Sequence, residues 1–276
     1  MKKKGILFIV PTPIGNLQDI TFRAIEILKS VKIIYAEDTR NSGKLLKHFE
    51  IFAQLKSYHK FNERSRVDEI LEILQNGENV AIISDAGTPA ISDPAQIIIK
   101  EAIRNNLKVE TLPGATAFVP ALVSSGLNTN QFYFVGFLPE KKSQREQLFG
   151  KLKEISTTLI FYEAPHKLQK FINQIYENFG NRKVVFAREI SKMYETYCRT
   201  TLKEIIANPQ MLKLKGEFVI ILEGKIEKEI SDKVIVEMLQ KQLENNETKK
   251  TAIKKIVTET GVSKNKIYKI MLKMFD

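Results

Sequence analysis

The chain has 276 residues, enough for two medium domains and a small third, and with 43% hydrophobic and 9% aromatic residues it can bury proper cores rather than stay disordered. Its formal charge of +11 fits either a lysine-rich background or a polyanionic partner, most simply nucleic acid. A single cysteine, Cys198, excludes a disulfide framework, and three scattered histidines (His48, His59, His166) without a cysteine nearby argue against zinc, so no metal is expected and a reducing cytoplasm fits.

The opening MKKKGILFIVPTP pairs basic residues with an apolar run as a signal peptide would. The run stops at Val10, however, Pro11 and Pro13 follow, and there is no small-residue cleavage pattern. It reads as a buried strand over 5–10 with a basic lead-in. No stretch approaches the roughly 18 uninterrupted apolar residues of a membrane span, so a soluble, cytoplasmic protein without a membrane partner is expected.

The spacing then predicts a helix over 21–31, a strand over 32–36 and a helix over 42–49. A strongly amphipathic helix over 63–75 places Val67, Ile70, Leu71 and Leu74 on one face. A strand over 79–84, a helix over 94–105 and a strand over 108–112 follow, with Asn76 and Gly77, and Asn105 and Asn106, where helix C-caps belong. This βαβ alternation predicts an α/β N-terminal domain, 1–113, with a mainly parallel sheet covered by helices.

Past Pro113 and Gly114 the pattern changes. A small-residue helix over 115–125 leads to a strand over 132–137, a helix over 144–155, a strand over 158–162 and a helix over 167–179. Strands over 183–187, 195–201 and 217–222 follow, the last two separated by a short helical piece, so an antiparallel or mixed sheet is expected in a second α/β domain, 114–224. Residues 225–276 show no strand and carry 12 lysines against eight acidic residues. A helix ending at Thr260, a turn at Gly261 and a second helix capped by Ser263, with Ile267, Ile270 and Met271 inward, make a helix-turn-helix-like unit. Such a unit serves either nucleic acid or packing alone.

The glycines exclude the common nucleotide loops. The closest pair, Gly216 and Gly224, is eight apart, so neither G-x-G-x-x-G nor G-x-x-x-x-G-K-[ST] exists, and there is no G-x-S-x-G elbow. Instead, four strands end in small and polar residues: PTPIGN (11–16), AEDTRNS (36–42), SDAGTP (84–89) and PGATA (113–117). In open α/β sheets ligands bind outside the carboxyl ends of strands, where small residues let them approach the backbone. Asp85 suits a ligand's ammonium or ribose hydroxyls, or equally the capping of the next turn. Ser92 and Asp93 read as the N-cap of the next helix.

VPTPIGNLQDIT, AEDTRNSGKLL, SYHKFNE, ISDAGTPAISDP, LPGATAFVPALVSSG, FVGFLP and FYEAPHK resemble the ribosomal small-subunit RNA (cytidine-2′-O-)methyltransferases, a group of the tetrapyrrole methylase superfamily. The resemblance covers about 10–224, and the remaining tail resembles the family's helical tail. Porphyrinogen and corrin methylases tend to carry G-D-P where this chain has Ser84, Asp85 and Ala86.

The resemblance implies a two-domain tetrapyrrole-methylase-like architecture, a homodimer, and S-adenosylmethionine (SAM) in the cleft between the domains. It implies methylation of a cytidine ribose in the decoding region of 16S rRNA on the small subunit. The implied SAM pocket comprises Pro13, the loop Ser84, Asp85, Ala86, Gly87, Thr88 and Pro89 with Ile91, then Ala115 and Thr116, and walls from Phe137, Glu163 and Ala164. Arg188, Glu189 and Gly216 close it. A 2′-hydroxyl attacks better as it loses its proton, for which His59, Glu37, Asp38 and His166 are candidates. Arg40, Lys60 and Arg64, near these loops, and Lys264 and Lys266 in the tail suit RNA phosphates, with solvated surface charge as the alternative.

Two other readings share these features. A methylase of the same fold acting on a tetrapyrrole or a protein side chain would leave the +11 charge and the tail unexplained. A ligand-sensing DNA-binding regulator would use the tail as reader and show no turnover.

Overall fold

Four-residue apolar runs form the centre of a five-stranded, all-parallel sheet in the computed structural model, which describes residues 3–226, 231–245 and 247–274. The chain runs β1 (Ile6–Ile9), α1 (Phe22–Ser30), β2 (Ile33–Ala36), α2 (Thr39–His48), β3 (Gln54–Ser57), α3 (Val67–Gln75), β4 (Val80–Ile83), α4 (Gln96–Arg104) and β5 (Lys108–Thr111). The strand order is β3-β2-β4-β1-β5. Successive side chains on a strand face opposite ways, so Leu7, Ile9, Val80 and Ile82 pack under α3 and α4, and Phe8, Val10, Ala81 and Ile83 under α1 and α2. Both faces are covered, which is why these strands read as continuous apolar runs.

The second sheet is mixed, as its sequence implied. It contains β6 (Phe132–Phe137), β7 (Thr158–Glu163), β8 (Lys183–Arg188), β9 (Thr196–Thr201) and β10 (Phe218–Leu222), in the order β6-β7-β10-β8-β9. Only β6 and β7 are parallel. Before β6 lies α5 (Phe118–Val123), and α6 (Lys142–Leu152), α7 (Pro165–Phe179) and α8 (Leu202–Ala207) follow in chain order. Phe161, Phe186, Phe218 and Ile220 face a core with Phe149, Phe171 and Ile205, while Ile160, Val185, Val219 and Ile221 face α5 and Ile14 of the first sheet's rim.

Both sheets belong to one compact unit, Met1–Lys225, and the second unit is Ile226–Asp276. The latter holds α9 (Asp232–Glu244), α10 (Lys249–Thr260) and α11 (Lys264–Lys273). Gly261 adopts the left-handed C-cap of α10, Ser263 accepts the Lys266 N–H at the start of α11, and Ile267, Ile270 and Met271 are buried as their spacing predicts. Among the described residues no helix is long and apolar enough to cross a membrane.

Four expectations change. Strand β3 had no sequence signal, because this edge strand carries a single aliphatic residue, Leu55, and none of its residues is fully buried. Residues 63–66 form turns rather than the first turn of α3. The small-residue helix shortens to α5, leaving Ala115 and Thr116 in the preceding loop. Finally, Ser92 and Asp93 do not cap α4: its N-cap position is Ala95, with no side-chain cap, and the loop turns away through left-handed Ala90 (φ 71°) and Ser92 (φ 68°).

Candidate active site

The loops after β1, β2 and β4 meet because these strands are neighbours in the sheet. Thr12 and Gly87 exchange backbone hydrogen bonds of 2.9 Å each way. The Thr12 hydroxyl donates to the Ser84 carbonyl (3.0 Å), the Ser84 hydroxyl to the Gly87 carbonyl (3.2 Å), and the Thr88 hydroxyl to the Ala115 carbonyl (3.0 Å). Gly87 takes φ +84°, a left-handed conformation that a side chain would resist.

Across from this loop lies the second sheet. Together they enclose a cavity of about 360 Å³. The first sheet's loops supply Asp85, Ala86, Gly87, Thr88, Ile91 and Thr116 of the residues expected from sequence, and the second sheet supplies Phe137, Glu163, Ala164 and Gly216. Sequence reasoning missed Ile14, Ser92, Asp93, Ala117, Tyr162, Pro165, Ile190, Glu217, Phe218 and Val219. Most of these are apolar or lie inside strands, so nothing local distinguishes them from core.

Backbone strain gathers in the segments flanking the cavity, with Ser92 itself on its lining. Ala90, Ser92 and Ala95 on one side and Glu189 and Ser191 on the other have φ between +53° and +134°. Strained non-glycine residues of this kind persist where surrounding structure holds them, as at ligand sites.

Other expected residues take supporting positions. Glu189 does not line the cavity: its Oε1 accepts the Glu217 N–H (3.0 Å) and the Lys192 ammonium (3.1 Å), and a β-carbon on Gly216 (φ +92°) would overlap this carboxylate. Arg188, 8% exposed, donates to the Lys215 (2.6 Å) and Tyr194 (3.2 Å) carbonyls and so pins two wall loops. Pro13 and Ser84 face a second cavity, and Pro89 and Ala115 line neither of the two.

The carboxylates differ sharply. Asp93 lines the cavity and its pKa is pushed up to about 7, first by burial and then by the charges of Glu37 and Asp85, with a Ser84 hydrogen bond opposing. Glu37 is raised by burial and by Asp85, against a lowering effect of His59. Asp38 is pulled down to about 2 by the Arg40 side chain and backbone N–H groups, and it caps α2. Asp85 accepts the Asp38 N–H at 3.1 Å. His59 Nδ1 accepts the Phe61 N–H (3.2 Å), so the neutral ring carries its proton on Nε2. Lys60 and Arg64 are exposed beside it, and His166 is exposed on α7. In the second unit, Lys264 is exposed and Lys266 lies 3.5 Å from Asp232.

The sequence profile of the tetrapyrrole (corrin/porphyrin) methylases matches residues 7–206. Ribosomal RNA small subunit methyltransferase I of Halalkalibacterium halodurans is 43% identical over 273 residues, covering 97% of this chain and 94% of that protein. The protein of the same name from Bacillus subtilis is 40% identical, covering 96% and 93%. Two solved structures share the fold: the methyltransferase CobJ (TM-score 0.61, 18% identity, 82% of this chain and 97% of that one) and diphthine synthase (TM-score 0.63, 11% identity, 79% and 90%).

Proposed function

The chain belongs to the tetrapyrrole methylase family, and from that membership we propose that it transfers the methyl group of SAM to the 2′-hydroxyl of a cytidine in the decoding region of 16S rRNA. The observation that carries this reading is the cavity between the two sheets, with small residues on one wall, apolar side chains on the other and carboxylates at both.

Its residues fit the cofactor. A volume of about 360 Å³ lies within the usual range for small-molecule sites. Gly87 and Gly216 keep the floor open to backbone contacts, Ile14, Ile190 and Val219 offer apolar surface, and Asp85 offers a carboxylate to an ammonium or ribose. When bound, SAM supplies a methyl group activated by a sulfonium. The chain's part is to hold the acceptor in line, exclude water and take up a proton. Asp93 is placed for the last role, since it lines the cavity and ionises near neutral pH. Asp38, held low by Arg40, is a poor base, and His59 is set to donate from Nε2. Glu37 supports Asp93 through its charge.

Exposed Arg40, Lys60 and Arg64, with Lys264 and Lys266 on α11, supply phosphate contacts to the rRNA, in keeping with the net charge of +11. The protein acts as a cytoplasmic homodimer, using apolar side chains left exposed on α5 and β6: Val119, Val123, Phe132 and Tyr133. Light scattering at twice the chain mass is the expected reading, and a monomer would remove this part.

The reaction is tested with labelled SAM and either small ribosomal subunits, isolated rRNA or a tetrapyrrole mixture. Label on a ribose 2′-oxygen of cytidine is expected. Label on a base, a porphyrin or protein would sink the proposal.

Asp93→Asn separates the base from its surroundings. Transfer is expected to fall and to lose its rise across pH 7. Stability moves the other way. The folded pKa of about 7 lies above the ordinary carboxylate value of about 3.9, so the folded state keeps a proton that the unfolded chain releases between them. Stability from this group is full below pH ~4 and lost as pH rises through ~7, by at most about 1.4 kcal/mol per pH unit. Urea unfolding should therefore show Asp93→Asn increasingly more stable than wild type from pH 4 to 7. A constant difference would remove Asp93 as a perturbed acid.

A further inference from the structure

A second cavity, of about 350 Å³, shares Asp85 with the first. Its other wall is α2, which presents Asn41, Lys44 and His48 on one helical face, together with Ser42. The Asp38 cap and the buried Leu46 fix the orientation of that face.

The charges here are uncommitted, unlike most at this end of the sheet. Arg40 pairs with Asp38, Lys56 and Arg66 pair with Glu69, and Lys192 pairs with Glu189 and Glu217. Neither Lys44 nor the Asn41 side-chain amide has an ion pair or side-chain hydrogen bond among the described residues. The His48 ring stands edge-on to Phe49, at 4.7 Å between centroids. Among the described residues the Ser42 hydroxyl has no hydrogen-bond partner, on a residue 4% exposed. Unpaired cationic and amide donors along one wall, facing a carboxylate on the other, suit a ligand with an anion at one end and hydroxyls at the other.

We infer that this second cavity takes the acceptor nucleotide of the RNA strand, with its phosphate toward Lys44 and His48 and its ribose toward Asp85. The inference rests on the rRNA reading above. Asp85 repels the phosphate and accepts from ribose hydroxyls, so the nucleotide enters in one orientation. The shared wall then sets the ribose beside the cofactor cavity, where in-line transfer needs it.

The test is Lys44→Gln with His48→Gln, both at exposed positions, in the full chain. The KM for small-subunit rRNA is expected to rise about tenfold or more, with SAM affinity and thermal midpoint unchanged. The slope of log affinity against log salt should fall by about one for each phosphate no longer neutralised, and Lys44→Arg should restore most of the effect. A second readout uses the absence of tryptophan from the chain. Leu17→Trp, at a 41% exposed residue of this cavity, places one indole there, whose fluorescence should respond to a decoding-region RNA fragment and not to SAM. Wild-type transfer with an unchanged KM in the double variant, or an indole responding to SAM alone, overturns the assignment of this cavity. No transfer by wild type to any RNA overturns the parent reading instead.

Discussion

Asp85→Ala is expected to cost roughly 10- to 150-fold in methyl transfer, the range of about 1.5–3 kcal/mol associated with a hydrogen bond to a charged group. Asp85 lies on the wall common to both cavities. Its removal takes away a ligand for the cofactor's cationic or ribose end, and it leaves the Asp38 N–H, now bonded at 3.1 Å, without its acceptor. Calorimetric titration of SAM and single-turnover transfer read the two contributions separately. Asp85→Asn retains the carbonyl acceptor while losing the charge, so a mild Asn effect beside a severe Ala effect would assign Asp85 to loop shape. If SAM affinity and turnover are both unchanged in Asp85→Ala, Asp85 only caps its own loop.

Phe161→Ala should have the largest effect on stability. Phe161 is fully buried on β7, its ring meets Phe171 edge-on at 5.3 Å, and Phe149, Leu168 and Phe186 belong to the same core. Truncating such a side chain typically costs about 3–5 kcal/mol through reduced burial and the cavity left behind. The urea midpoint should fall accordingly. A loss below about 1 kcal/mol would mean that the helices of this sheet collapse into the space. Because β7 also carries Tyr162 and Glu163 into the active-site cavity, the variant should lose SAM affinity as well.

Asp85 and Phe161 were legible in the sequence to different degrees. Phe161 lies in a continuous apolar run over 159–161, so its burial follows from hydrophobicity, whereas the side of the sheet it faces does not. Asp85 stood out because a buried strand ended in a carboxylate among small residues, yet the same spacing served a cap or a ligand. Asp93 was misread, since a Ser–Asp pair before an apolar helix is the usual capping pattern. The left-handed turns at Ala90 and Ser92 carry Asp93 into the cavity instead, and Ala95 takes the cap position. His59 looked like the natural base from its chemistry, and a single backbone N–H, from Phe61, decides which nitrogen holds the proton.

By itself the sequence determined what depends on neighbours along the chain. Strand and helix alternation, the caps at Asn76, Asn105, Gly261 and Ser263, and the absence of glycine-rich nucleotide loops all follow from local backbone chemistry. The family resemblance rests on such local motifs too. The tertiary structure decided what depends on residues far apart. Gly216 faces Asp85 across one cavity, and Lys44 and His48 face it across another, although these positions lie tens to more than a hundred residues from it. Burial and facing charge, not residue type, separate Asp93 near 7 from Asp38 near 2. Those quantities exist only once the sheets have packed, because desolvation and Coulomb energy depend on distance in space.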